Sequence, residues 1–117
     1  MSEPLGRLAT ICDALPESVR EDSGRHAAFR VRKRTFAYYL DDHHGDGIVG
    51  LTCKVAPGES EALVESAPDR YYRPAYLGAR GWVGLRLDVR EVDWDEVADL
   101  VATSYGLVAP ARLASGV

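Results

Sequence analysis

The chain has 117 residues, 46% of them apolar and 27% charged, with a formal net charge of -4 at pH 7 and a pI near 5.3. That composition suits one globular domain, taken as residues 1–112, with enough apolar side chains for a single core. It excludes a bilayer span, since no run approaches the roughly 20 apolar residues required, and it disfavours nucleic-acid binding by bulk charge unless the cations are segregated.

The N-terminal MSEPLGRL has no basic stretch followed by an apolar run, so the expected location is cytoplasmic. Ser2 is placed to cap a first helix with Pro4 in its opening turn. Leu5, Leu8, Ala9, Cys12 and Leu15 then recur at helical spacing until Pro16 stops the stripe. Residues 16–25 carry mixed charge without a period and read as a loop. At His26 the period changes to two: Ala27, Phe29 and Val31 alternate with Ala28, Arg30 and Arg32. A basic turn around Lys33 leads into a second strand over 35–40, rich in β-branched and aromatic residues.

The glycine-rich DDHHGDG of 41–47 suits a hairpin loop. A third strand follows, with Val49, Leu51, Cys53 and Val55 facing inward and Gly50, Thr52 and Lys54 outward. Pro57 and Gly58 end it, and a short helix over 59–67, closed by Pro68, turns Ala62, Leu63 and Ser66 inward. Between 69 and 80, Tyr71, Tyr72, Pro74, Tyr76 and Gly78 indicate a short edge strand and then an irregular loop, because proline is tolerated at a sheet's edge.

From Trp82 to Asp88, Val83, Leu85 and Leu87 alternate with Trp82, Gly84, Arg86 and Asp88, which predicts a sheet with one packed face and one wet face. Asp93 is the natural N-cap of a last helix, and Glu96 three residues on completes a capping box. Val97, Leu100, Val101 and Ser104 make its buried stripe, and Gly106 takes the C-terminal left-handed position. The tail, 113–117, is expected to fray. The order α, β, β, β, α, short β, β, α makes this an α+β fold, an antiparallel sheet with its helices packed on one face.

Ten of the 14 Lys and Arg lie in residues 25–34 and 70–90, where Asp88 is the sole acid. The sheet is therefore expected to be basic and its helical backing acidic. In the register above, Arg30, Arg32, Lys54 and Arg86 share the open face with Trp82 and with Tyr38 or Tyr39, and Lys33 and Arg34 extend it at the turn. Cations with aromatics between them suit phosphate contact and base stacking. The same face could equally be solvated, its arginine stems covering apolar sheet, or used for self-association.

Asp41, Asp42, His43, His44 and Asp46 have metal-ligand chemistry but match no ligand spacing, so a polar hairpin loop is the plainer reading and no cofactor or metal is assigned. Cys12 and Cys53 fall in apolar registers and read as free, buried thiols. His26 could approach Cys53 or Ser104, yet nothing in the spacing demands it, and no enzyme activity is expected.

Taken together, Phe29 to Val31, Lys33, Phe36 and Ala37, Lys54, the Pro57 helix, the GWVGLRLD strand and the DWDEVADLVATSYGLVAP helix resemble the MmcQ/YjbR family. The likeness runs over roughly residues 5–112, and its most specific parts are Trp82-Val83 and the Ser104-Tyr105-x-Leu-Val-Ala-Pro ending. The resemblance implies a CyaY-like fold, a twisted antiparallel sheet backed by helices, whose wings are proposed to contact DNA. It supplies no catalytic residues, and a shared fold does not transfer iron chemistry. The expectation is a DNA-binding or regulatory protein that uses Arg30, Arg32, Lys33, Arg34, Lys54, Arg86 and Trp82; the alternative is a module that binds a protein, a small anion or itself.

Overall fold

The computed structural model describes residues 3–75 and 77–115, the side chain of His44 excepted. Six strands form one antiparallel sheet in the order β1-β2-β3-β4-β6-β5: β1 (Val19–Ser23), β2 (His26–Val31), β3 (Arg34–Asp41), β4 (Val49–Lys54), β5 (Tyr71–Tyr72) and β6 (Trp82–Arg86). The helices are α1 (Glu3–Asp13), α2 (Glu59–Ser66), α3 (Trp94–Val108) and α4 (Ala111–Ala114). The expected α+β architecture is therefore present.

One face of the sheet is packed by α1 and α3. Leu8, Ala9 and Cys12 of α1 and Val97, Val101 and Tyr105 of α3 meet Phe29, Val31, Leu51, Cys53, Val83 and Leu85 in a single buried cluster. The period-two and period-3.6 patterns aim these apolar positions at one another. The second helix buries no residue fully and leans on the cluster through Leu63 and Val64.

At the β2–β3 pair the register shifts: Phe29 is opposite Ala37, but Arg30 is opposite Thr35. The extra residue is Phe36, and this bulge lets it turn inward beside Ala37, where it meets Tyr105 edge-on with ring centroids 5.3 Å apart. Ser104 closes the opening. Its hydroxyl donates to the Phe36 carbonyl at 2.6 Å and accepts from the Lys54 amide at 2.9 Å, bridging β3 and β4 beyond their last paired residues, Ala37 and Cys53. The Tyr105 hydroxyl, donating to the Pro16 carbonyl at 2.6 Å, ties the chain after α1 to the same helix.

Several sequence expectations are corrected. Residues 19–23 form β1, not loop; every residue there is exposed, so no alternation of burial marks the strand. Asp93 caps α3 through its side-chain oxygen, but Glu96 does not reach back to it; the Glu96 carboxylate accepts from Arg70 at 2.6 Å and from the Tyr71 hydroxyl at 2.8 Å. Gly106 lies inside α3, which continues to Val108 before Pro110 stops it. Past Pro110, Ala111–Ala114 make a helical turn, with the Pro110 carbonyl accepting from the Leu113 and Ala114 amides. The proposed Ser2 cap lies outside the described residues.

Candidate functional site

The outer face of the sheet carries Tyr38, Thr52, Gly84 and Tyr72 in one row, flanked by Lys54 and Trp82 on one side and by Gly50 and Arg86 on the other. This face is not open across β4 and β6. Glycines at 50 and 84 leave a cradle in which the Tyr72 ring lies flat, so close that a Cβ at either position would collide with it. Burial pushes the Tyr72 phenol above its ordinary value, with the Thr52 hydroxyl acting the other way. Thr52 is fully buried although it points outward.

Trp82 was expected on the wet side. It is on the outer face, but Arg73, Gly78 and α2 close over it, leaving it 9% exposed. Its indole meets Tyr38 with ring centroids 5.8 Å apart, while Tyr39 is buried inward, which settles which of the two tyrosines faces out. Two grooves open on this face. One, of about 230 Å³, runs between α2 and Arg73, with Trp82 in its wall; the other, of about 240 Å³, has Tyr38, Leu40, Tyr72, Pro74 and Leu77 around it and Asp46 at its rim.

The cations divide into two sets. Arg30 pairs with Glu21 at 3.6 Å, Arg32 makes a two-pronged bond to Glu17 at 2.6 and 3.0 Å, and Arg86 does the same with Asp88 at 2.9 and 3.0 Å. The bond from Arg32 holds the Glu17 carboxyl below its usual range, and Arg86 does so for Asp88. These three arginines are occupied by carboxylates of their own chain. Arg32 is not a strand residue at all: with Lys33 it forms the two-residue β2–β3 turn, both at positive φ, 50° and 68°.

Lys33, Arg34, Lys54 and Arg80 make no ion pair among the described residues. Strand direction brings them together: β3 begins where β4 ends and β6 begins, so the β2–β3 turn, Lys54 and the residues before Trp82 share one end of the sheet. Asp41, Asp42, Asp46 and Asp88 lie at the opposite end. The unpaired Lys33, Arg34, Lys54 and Arg80 thus sit at one end of the strands and these four acids at the other, two of them paired there with Arg25 and Arg86, so the expected basic face is instead a basic end. Arg80 was overlooked as a member of this group because no strand pattern covers 78–80, a 3-10 turn that leads into β6. Glu17 and Glu21 were overlooked as partners because β1 reads as loop.

The 41–47 loop spends its carboxylates on its own backbone. Asp42 accepts from the Gly47 amide at 2.7 Å and Asp46 from the Ile48 amide at 2.9 Å, while Asp42 also pairs with Arg25 at 3.6 Å. Among the described residues no group of three His, Cys, Asp or Glu side chains is placed to hold a metal ion. The His26 Nδ1 accepts from the Asp41 amide at 3.0 Å, at the far end of the sheet from Ser104. Cys12 and Cys53 are free and buried; burial pushes the Cys53 thiol up to about 12, far from a reactive thiolate. None of these groups assembles a nucleophile with a base.

The molecule is thus a small α+β domain, a six-stranded antiparallel sheet backed by helices, with Lys33, Arg34, Lys54 and Arg80 together at one sheet end. The chain belongs to the YjbR family, whose model matches residues 13–107. A crystal structure of Deinococcus radiodurans protein DR2400, with domain DUF419, is similar at 26% identity and a TM-score of 0.72, covering 92% of this chain and 81% of that one. No curated protein matches the chain. No helix among the described residues is long and apolar enough to cross a membrane.

Proposed function

We propose that this chain is a non-catalytic DNA-binding or regulatory protein that meets phosphates with the basic end of its sheet. The observation that supports this reading is the gathering of Lys33, Arg34, Lys54 and Arg80 at one end without carboxylate partners. Lys33 and Arg34 project from a hairpin tip, where a groove or a phosphate row is accessible to them. The residues engaged elsewhere, Arg30, Arg32 and Arg86, have a smaller part, since each would first have to leave its own carboxylate.

The test is fluorescence polarisation with labelled single- and double-stranded DNA. Three phosphate contacts predict a salt slope near -2.7, which is about a 500-fold loss of affinity between ~20 mM and ~200 mM salt. A Lys33→Ala, Arg34→Ala, Lys54→Ala variant should lose most of the binding and of the slope, whereas Arg30→Ala, Arg86→Ala should change both little. Absence of binding to either DNA at the lower salt would overturn the proposal.

A further inference from the structure

The two edges of the sheet are unequal. At one, β5 is two residues long and is followed by Pro74, a blunt edge that offers little to a second chain. At the other, β1 runs five residues without proline, is exposed throughout and carries Val19 at 60% exposure. Its outward backbone groups can be assigned. The two-residue turn at Gly24-Arg25 makes Ser23 and His26 a hydrogen-bonded pair, and strict alternation then turns the amides of Val19, Glu21 and Ser23 toward β2. The N–H and C=O of Arg20 and Asp22 therefore point away from the sheet.

We propose that two copies of this chain pair β1 against β1, antiparallel about Glu21, and join their sheets edge to edge. This surface does not depend on the DNA reading. In that register Arg20 lies opposite Asp22 of the second copy and Asp22 opposite its Arg20. The four residues with outward backbone groups are thus also the four whose charges are complementary. Within one chain Arg20 already binds Asp22 at 2.6 Å, so the two side chains stand on one face, ready to exchange partners across the two-fold. Glu21 meets its own copy at the axis, and Arg30, 3.6 Å from it on the outer face, offsets that repulsion. Val19 comes opposite Ser23 of the second copy, where its exposed side chain is partly covered. Arg20 and Asp22, opposite Phe29 and Ala27, lie on the helix-backed side of the edge, where charges of one sign would guard against pairing; their opposite signs make the order self-complementary instead.

Sedimentation equilibrium of the full chain between ~10 µM and ~1 mM tests this, a range suited to a small interface. The mass should rise with concentration from 12.8 kDa toward twice that value. In parallel, the amides of Arg20 and Asp22 should gain hydrogen-exchange protection as the protein is concentrated. Arg20→Asp places like charges opposite one another and should weaken association at least ten-fold, and the exchanged pair Arg20→Asp, Asp22→Arg should restore it to within a few-fold. A chain that stays at its monomer mass throughout overturns the proposal. So does a dimer that ignores Arg20→Asp, or one that the exchanged pair fails to restore.

Discussion

Replacing Ser104 by Ala tests how the basic end of the sheet is held together. The side chain is fully buried, donates to the Phe36 carbonyl at 2.6 Å and accepts from the Lys54 amide at 2.9 Å. Alanine removes both partners at once and leaves a buried carbonyl and a buried amide unmet, at about 1–3 kcal/mol each. A gain of about 0.5 kcal/mol from helix propensity offsets part of this. The expected net loss is about 1.5–5.5 kcal/mol, which for a chain of this size lowers Tm by roughly 5–30 °C. Urea unfolding followed by tryptophan fluorescence should show the midpoint fall with an unchanged slope, because the surface exposed on unfolding is the same. The control is Ser115→Ala, whose hydroxyl bonds Arg112 at the surface and should matter little. A Ser104→Ala loss under about 0.5 kcal/mol would refute the reasoning, since it would mean that the bulge at Phe36 satisfies its own backbone.

Other expectations follow from the same geometry. Gly84→Ala should expel the Tyr72 ring from its cradle and cost about 1–3 kcal/mol; combined with Tyr72→Ala the loss should be smaller than the sum, a non-additivity that thermal unfolding of the four proteins would read. Lys33, held at φ 68°, is relieved by Lys33→Gly, which should raise stability by about 1 kcal/mol while weakening DNA binding, so the two readouts move in opposite directions. Alkaline pH should destabilise the fold. The Cys53 thiol is raised by burial to about 12, so its contribution is complete below the unfolded value near ~8.5 and is lost as pH rises toward the folded one, at about 1.4 kcal/mol per unit. Urea midpoints measured from pH 8 to pH 10 should fall less steeply in Cys53→Val than in the parent chain, and equal slopes would contradict the assignment.

The elements that bury an apolar stripe were legible. Leu8 to Cys12, Phe29 to Val31, Leu51 to Cys53, Val83 to Leu87 and Val97 to Val101 all reach the core in the predicted periods. The first strand was not, because VREDS has no buried side: its pairing with β2 comes from the Gly24 turn at φ 59° and from backbone bonds, neither of which leaves an apolar signal. Missing β1 also hid the acids beside the cations, since Glu17 and Glu21 acquire their places only once that strand is laid down. Tyr72 over Gly50 and Gly84 was readable in principle: two glycines at outward positions of neighbouring strands signal that something must lie against the backbone there. Trp82 followed the alternation correctly and yet is covered, because side-chain direction says nothing about what a later loop does.

The charge pattern shows why direction along a strand matters as much as its two faces. Alternation assigns a residue to a face and is blind to position along the strand, so Arg30 and Arg86 seem equivalent although they sit toward opposite ends of the sheet. Antiparallel order supplies the missing coordinate. Segments 32–34, 54 and 80 are far apart in sequence but each lies at a boundary of a strand that starts or stops at the same end, as do 41–46 and 88 at the other. A net charge of -4 is then no obstacle to a local cationic surface, because Asp41, Asp42, Asp46 and Asp88 are held at the far end and Glu17 and Glu21 are bound to arginines, and over a separation beyond about 10 Å in ordinary salt charges are largely screened. On the α2 side the surface is limited by Glu61 and Glu65, which line the groove beside Trp82. Glu61→Gln, Glu65→Gln should therefore strengthen DNA binding if the contact extends toward α2 and leave it unchanged if it is confined to the hairpin tip.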